Sequence, residues 1–249
     1  MFGVVAPLPA WAGESDISSE VVDDVVNSVV YIAHGEVFDA DYNAIGSIDE
    51  VAEALNSDGS AVAVKAAEHL TEESAPIFAA EQASRDANGI TAPEQSSSQA
   101  AAAVEAPGCS GYNTNFILRE YPTVAWPAVG APKASSPLRC GNSGAVSAFG
   151  WRHVWSDGHK ADYQSLVAAT HGPIDDSNMK SFLQEFIFPQ TLGWPLNVVD
   201  RPDSNSWRYS TTIEIYDNTT ETHRTFIAYV AVGKTTQNIV TSWPSTSVE

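Results

Sequence analysis

The chain reads as an α+β protein, and three observations predict that class. Apolar residues recur at three- and four-residue spacing from residue 17 to about 83, and again within 149–188. After Trp207 the period drops to two, in alternating runs separated by a short turn. Charge is divided unequally: residues 1–105 hold nineteen acidic and two basic side chains (−17), and residues 106–249 hold twelve and ten (−2), which together give −19. Such asymmetry suggests two modules with different roles. The expected layout is a signal-peptide remnant at 1–12, an acidic α-helical domain at 13–87, a linker rich in Ser, Ala, Gln and Pro at 88–108, and a domain at 109–249 in which helices pack on an antiparallel β-sheet.

The first residues contain Ala10-Trp11-Ala12 before Gly13, the small-x-small shape of a signal-peptidase site, although a positively charged start is missing. No apolar run reaches the roughly 18 residues that span a bilayer. Val21, Val22, Val25, Val26, Val29 and Val30 have helical spacing, with Ser18 or Ser19 as N-cap. Ser47 and Glu50 form a capping-box pattern opening a helix to Leu55, and 58–70 and 71–85 complete an acidic bundle. His34 and His69 stand isolated and are assigned structural roles. Asp39, Asp41 and Asn43 alternate like the start of a calcium loop but lack its glycine at the sixth position. An acidic half of this kind repels nucleic acid and anionic membranes.

Cys109 and Cys140 fit the single disulfide of an exported protein, worth roughly 3–4 kcal/mol by loop entropy; two buried thiols in a cytosolic protein are the alternative. Residues 121–137 read as extended chain pinned by that bridge. The stretch 149–160, FGWRHVWSDGHK, gathers two histidines, an arginine, a lysine and two tryptophans. On a helix, Trp151, Val154 and Trp155 share one flank and leave His153 on the next face, until Asp157-Gly158 ends the helix. His159 and Lys160 follow. Helices are expected at 162–170 and 176–188, the second capped by Asp176 or Ser177 and ended by Pro189 and Gly193. A strand at 207–217 sets Tyr209, Thr211, Ile213 and Ile215 on one face. It turns at 218–221 into 223–232, where His223 and Arg224 point to opposite faces. A third strand, 237–243, is stopped by Pro244.

Gly150-Trp151-Arg152-His153 on a helix, then a helical insert, arginine-bearing strands and a closing Ile239-Val240-Thr241-Ser242-Trp243-Pro244, resembles the barnase–EndoU–colicin–RelE (BECR) superfamily of ribonucleases. The likeness is greatest to the C-terminal toxin domains of bacterial secreted toxins, and it covers about residues 141–244. The family more often has Tyr where Trp243 stands. The resemblance implies metal-independent RNA cleavage with His153, Arg208, Arg224 and Thr241 as the catalytic set. Trp151, His159, Lys160, Tyr209 and Trp243 would bind substrate, with Trp207 a further candidate for stacking a base. It also implies an RNA substrate, tRNA among the candidates, an immunity protein covering the His153 cleft, and a secreted or cell-surface location suited to bacterial competition. No metal or cofactor is implied.

These residue types suit that chemistry. Attack of a ribose 2′-OH on phosphorus needs a base, an acid for the leaving oxygen and cations for the developing charge. Histidine serves as either acid or base, and arginine grips phosphate oxygens two at a time. Competing roles exist: Arg208 and Arg224 can pair across strands with Glu214 and Glu221, and the tryptophans can be core. The rival functions are a non-catalytic binding module and an NAD-hydrolysing toxin. No HExxH, CxxC, phosphate-loop, dinucleotide or G-x-S-x-G pattern occurs, and His153 and His159 are six residues apart. Whether the two halves touch is left open by the sequence.

Overall fold

Helix α1 (Ser19–Asn27) gives way at Ser28 to strand β1 (Val29–Ala33), the first departure from an all-helical N-terminal module. This computed structural model describes residues 19–87, 109, 111–143, 147–156 and 159–246; the expected signal remnant and linker lie outside them. The helical spacing of the valines runs on into Val29 and Val30, but Val-Val-Tyr-Ile-Ala is β-branched or aromatic at four of five positions and suits a strand covered on both faces. Strands β2 (Glu36–Phe38) and β3 (Ala44–Ser47) follow by hairpins. The Asp39–Asn43 segment is the β2–β3 turn: Asp39 Oδ1 accepts from Asp41 N at 2.8 Å and Asn43 N at 2.9 Å.

Helix α2 (Ile48–Asp58) carries the expected capping box, with Ser47 and Glu50 bonded reciprocally, and Gly59 closes it at φ 72°. Ser60 caps α3 (Ala61–Glu68), which runs through a π turn, His69–Ser74, into α4 (Ala75–Ala87). Within that turn the Thr71 hydroxyl donates back to Ala67 O at 2.9 Å. The segment expected as plain extended chain is a two-stranded sheet, β4 (Ile117–Thr123) with β5 (Ala134–Arg139). It lies next to the expected Cys109–Cys140 disulfide.

The second helical layer contains α5 (Trp151–Ser156), α6 (His159–His171) and α7 (Asp176–Ser181). The cap of α7 is Asp175, one residue earlier than expected. A π turn, Phe182–Ile187, then leads into α8 (Phe188–Gly193), so Pro189 continues the helix it was expected to end. In this wide turn Phe188 N–H donates five residues back to Leu183 O. Pro189 has no N–H for the next carbonyl, Gln184 O, which accepts instead from the Tyr121 hydroxyl at 3.1 Å.

The remaining strands are β6 (Asn197–Arg201), β7 (Ser206–Asp217), β8 (Thr222–Gly233) and β9 (Ile239–Ser245). The sheet order is β3-β2-β1-β7-β8-β9, all pairs antiparallel. β1 and β6 share one side of β7, β1 opposite Glu214–Asp217 and β6 opposite Ser206–Ser210. Pro244 stays within β9 because that is the last strand of the order, where a missing N–H costs no ladder bond. The fold is thus α+β with an antiparallel sheet, and residues from both expected modules build that sheet.

Alternation sorts the two cores. Val30, Ile32, Val37 and Tyr216 pack with Val51, Leu55, Leu70 and Phe78 of the first helical layer. Tyr31, Tyr209, Ile213, Ile215, Phe226 and Val230 face the other way, onto Val154, Tyr163, Phe182, Phe186 and Phe188. All twelve residues of β7 are buried. Among the described residues no helix is long and apolar enough to cross a membrane.

Candidate active site

Two glycines set the start of α5. Gly141 (φ 61°) and Gly150 (φ 76°) cross so closely that a Cβ on Gly141 would lie 1.7 Å from Phe149 O, and one on Gly150 2.5 Å from Arg139 O. Gly150 N–H donates to Val240 O at 2.8 Å and Arg152 N–H to Cys140 O at 2.9 Å, pinning α5 between β9 and the disulfide. Trp151 is 5 % exposed and meets Trp155 and Phe188, so it packs as a core residue. The Arg152 guanidinium donates to the carbonyls of Gly141, Tyr112 and Cys109, which makes the basic residue of this motif a clamp on the disulfide loop.

His153, held by that framework, presents its ring edge-on to His159 of α6, 5.2 Å between centroids. His159 lies 6.3 Å from Trp243 of β9, Trp243 stacks on Tyr229 of β8 at 5.3 Å, and the Arg208 guanidinium sits 4.6 Å over Tyr229. Thr241 is in the same row as Arg208, each opposite Ala231, and its buried Oγ1 has no hydrogen-bond partner among the described residues. Five of the nine expected catalytic and substrate-binding residues therefore belong to one run from α5 and α6 over β9 and β8 to β7. Tyr229, which bridges it, was missed. The hairpin register carried the signal, since it sets Tyr229 opposite Ser210, one alternation from Arg208.

The others lie apart. Arg224 pairs with Ile215, so it is on the opposite sheet face from Arg208 and seven residues along β8 from Ala231, roughly 20 Å away. One small ligand cannot reach both guanidiniums. Tyr209 is 1 % exposed on the core face, and burial raises its hydroxyl pKa to about 12 despite a bond to Thr123. Trp207 is buried with its Nε1 donating to Val129 O. Lys160 lies 4.5 Å over the Trp155 ring and pairs with Asp176 at 2.9 Å. A groove of about 430 Å³ lined in part by Tyr31, Asp41, Tyr42, His171 and Glu185 contains none of the expected residues. His69, expected to be isolated, meets His223 beside Glu73 on the first helical layer's side of the sheet.

No protein-family model, curated protein sequence or solved structure matches this chain.

Proposed function

We propose that the protein is an exported, metal-independent ribonuclease of BECR type, acting at the His153 end of the sheet. The observation that carries this reading is the continuous run His153–His159–Trp243–Tyr229–Arg208, with the unpartnered Thr241 hydroxyl beside it. His153 takes the proton of the ribose 2′-OH, and His159 returns one to the leaving 5′-oxygen. Two imidazoles a few ångströms apart suit that pair of duties. Arg208 and Thr241 bond the phosphorane oxygens, and Trp243 stacks a splayed base. The disulfide favours an oxidising compartment.

A chain of net charge −19 is a poor general RNA ligand, because affinity for RNA comes mainly from phosphate neutralisation. A structured substrate such as tRNA fits better than bulk RNA, and an immunity protein over His153 would restrain the producer. The test is end-group analysis of tRNA incubated with the full chain in a chelator. Fragments bearing 2′,3′-cyclic phosphate, absent with His153→Ala, are expected. Intact RNA with release of nicotinamide from NAD would replace this reading with NAD hydrolysis, and neither activity would leave a binding module.

A further inference from the structure

We infer that His69, Glu73 and His223 form a binding site for a divalent transition-metal ion of the zinc type, oriented by the buried carboxylate of Glu214. His69 opens the π turn between α3 and α4, Glu73 follows four residues later, and His223 reaches over from the second residue of β8. Glu73 Oε2 lies 3.7 Å from His69 Nδ1 and 3.5 Å from His223 Nε2, and one ligand atom of each residue lies within 4.8 Å of the others. Bonds of the length zinc prefers, in a tetrahedron, separate donors by about 3.3–3.4 Å. Two of the separations are already near that value.

The His69 ring is aimed by its surroundings. Its Nε2 bonds Glu214 Oε1 at 2.7 Å and Tyr216 stacks on it at 4.0 Å, which turns Nδ1 toward Glu73 and His223. A carboxylate behind a ligating imidazole is the usual outer partner of a metal site, fixing the tautomer and raising the basicity of the free nitrogen. Glu214 supplies an independent sign of a cation. It is 1 % exposed, and its Oε2 has no hydrogen-bond partner among the described residues. A buried carboxylate oxygen left without a partner is costly, and a cation beyond the imidazole would offset that cost.

Two imidazoles and one carboxylate select zinc or a neighbouring first-row ion over magnesium or calcium, which prefer oxygen alone. The π turn fits as well, because such turns concentrate at functional sites. Lys65 pairs with Glu221 at 2.7 Å and holds the same helix to the hairpin before any ion binds. The ion would staple the first helical layer to β8. It sits about 20 Å along β8 from Tyr229, so this inference is independent of the ribonuclease reading.

The experiment is calorimetric titration of the full, chelator-stripped and dialysed chain with zinc chloride, paired with thermal unfolding. One ion per chain and a raised Tm are expected. Glu73→Ala and His223→Ala alter exposed side chains, and with unchanged circular dichroism each should weaken zinc by more than about tenfold. Glu214→Gln should weaken it by roughly 10–100-fold, the usual effect of losing an outer partner. Absence of stoichiometric binding by the native chain overturns the site, as does binding unaltered in both Glu73→Ala and His223→Ala.

Discussion

Val30 of β1 lies directly opposite Tyr216 of β7, so the N-terminal half of the chain holds an internal place in the sheet. Removing residues 1–105 would unpair β7 over Glu214–Asp217, delete every buried residue of the first core except Tyr216, and leave Tyr216 uncovered. We expect the fragment 106–249 to lose cooperative unfolding and to bind a hydrophobic dye, in contrast to the full chain. Denaturant titration followed by circular dichroism and dye fluorescence checks this.

Arg85 of α4 fastens the two halves a second time. Fully buried, it meets Glu81 at 3.4 Å, His34 Nδ1, Pro195 O and the face of Trp194. Burial holds the Arg85 pKa below and the Glu81 pKa above their ordinary values, because the cost of desolvating each charge outweighs the attraction between them. Arg85→Ala strands Glu81 and should cost about 3–5 kcal/mol of stability, while pairing Arg85→Met with Glu81→Leu should recover much of it. Urea midpoints at neutral pH measure both.

His34 should make stability fall as solution is acidified. Desolvation, and then the neighbouring Arg85 charge, hold its pKa well below 6.5. The neutral ring accepts from Arg85 at Nδ1 and donates from Nε2 to Gln190 O at 3.3 Å. Below about pH 6.5 the unfolded chain takes up a proton that the folded chain refuses. Stability is then lost at up to about 1.4 kcal/mol per pH unit, until the depressed folded value is reached. His34 sits at φ 59°, which asparagine tolerates, so His34→Asn should flatten this part of the urea-midpoint profile between pH 7.5 and 5.

Gly141→Ala tests the placement of α5. The new methyl has no room against Phe149 O and the backbone angle is unfavourable, so a loss of at least about 2 kcal/mol is expected, with His153 displaced from His159. Thermal unfolding and the histidine ring signals in proton NMR report the two effects separately.

The β7–β8 hairpin was the most legible part, because strict alternation and a four-residue polar turn specify both its ends and its register. That register also separates Arg208 from Arg224: pairing Asp217 with Thr222 places Arg224 opposite Ile215 and Arg208 opposite Ala231, on different faces. β1 was not legible because the valine repeat satisfies a helical period, and only β7, nearly two hundred residues on, supplies the partner that makes it a strand. Pro189 and Pro244 misled for related reasons. A π turn absorbed the first and a sheet edge the second, and neither context is local in sequence. His69 looked isolated because tertiary packing alone brings it to His223.

The most direct measurement of the central claim is tRNA cleavage by the full chain carrying Arg208→Ala or Arg224→Ala, beside His153→Ala, each checked for native circular dichroism. Loss of roughly 100-fold or more for His153→Ala and Arg208→Ala is expected, with Arg224→Ala within about twofold of the parent because it lies on the opposite face from Arg208 and roughly 20 Å along β8 from the Arg208 row. Equal losses in both arginine variants, or full activity in Arg208→Ala, would contradict a site built across His153, Trp243, Tyr229 and Arg208.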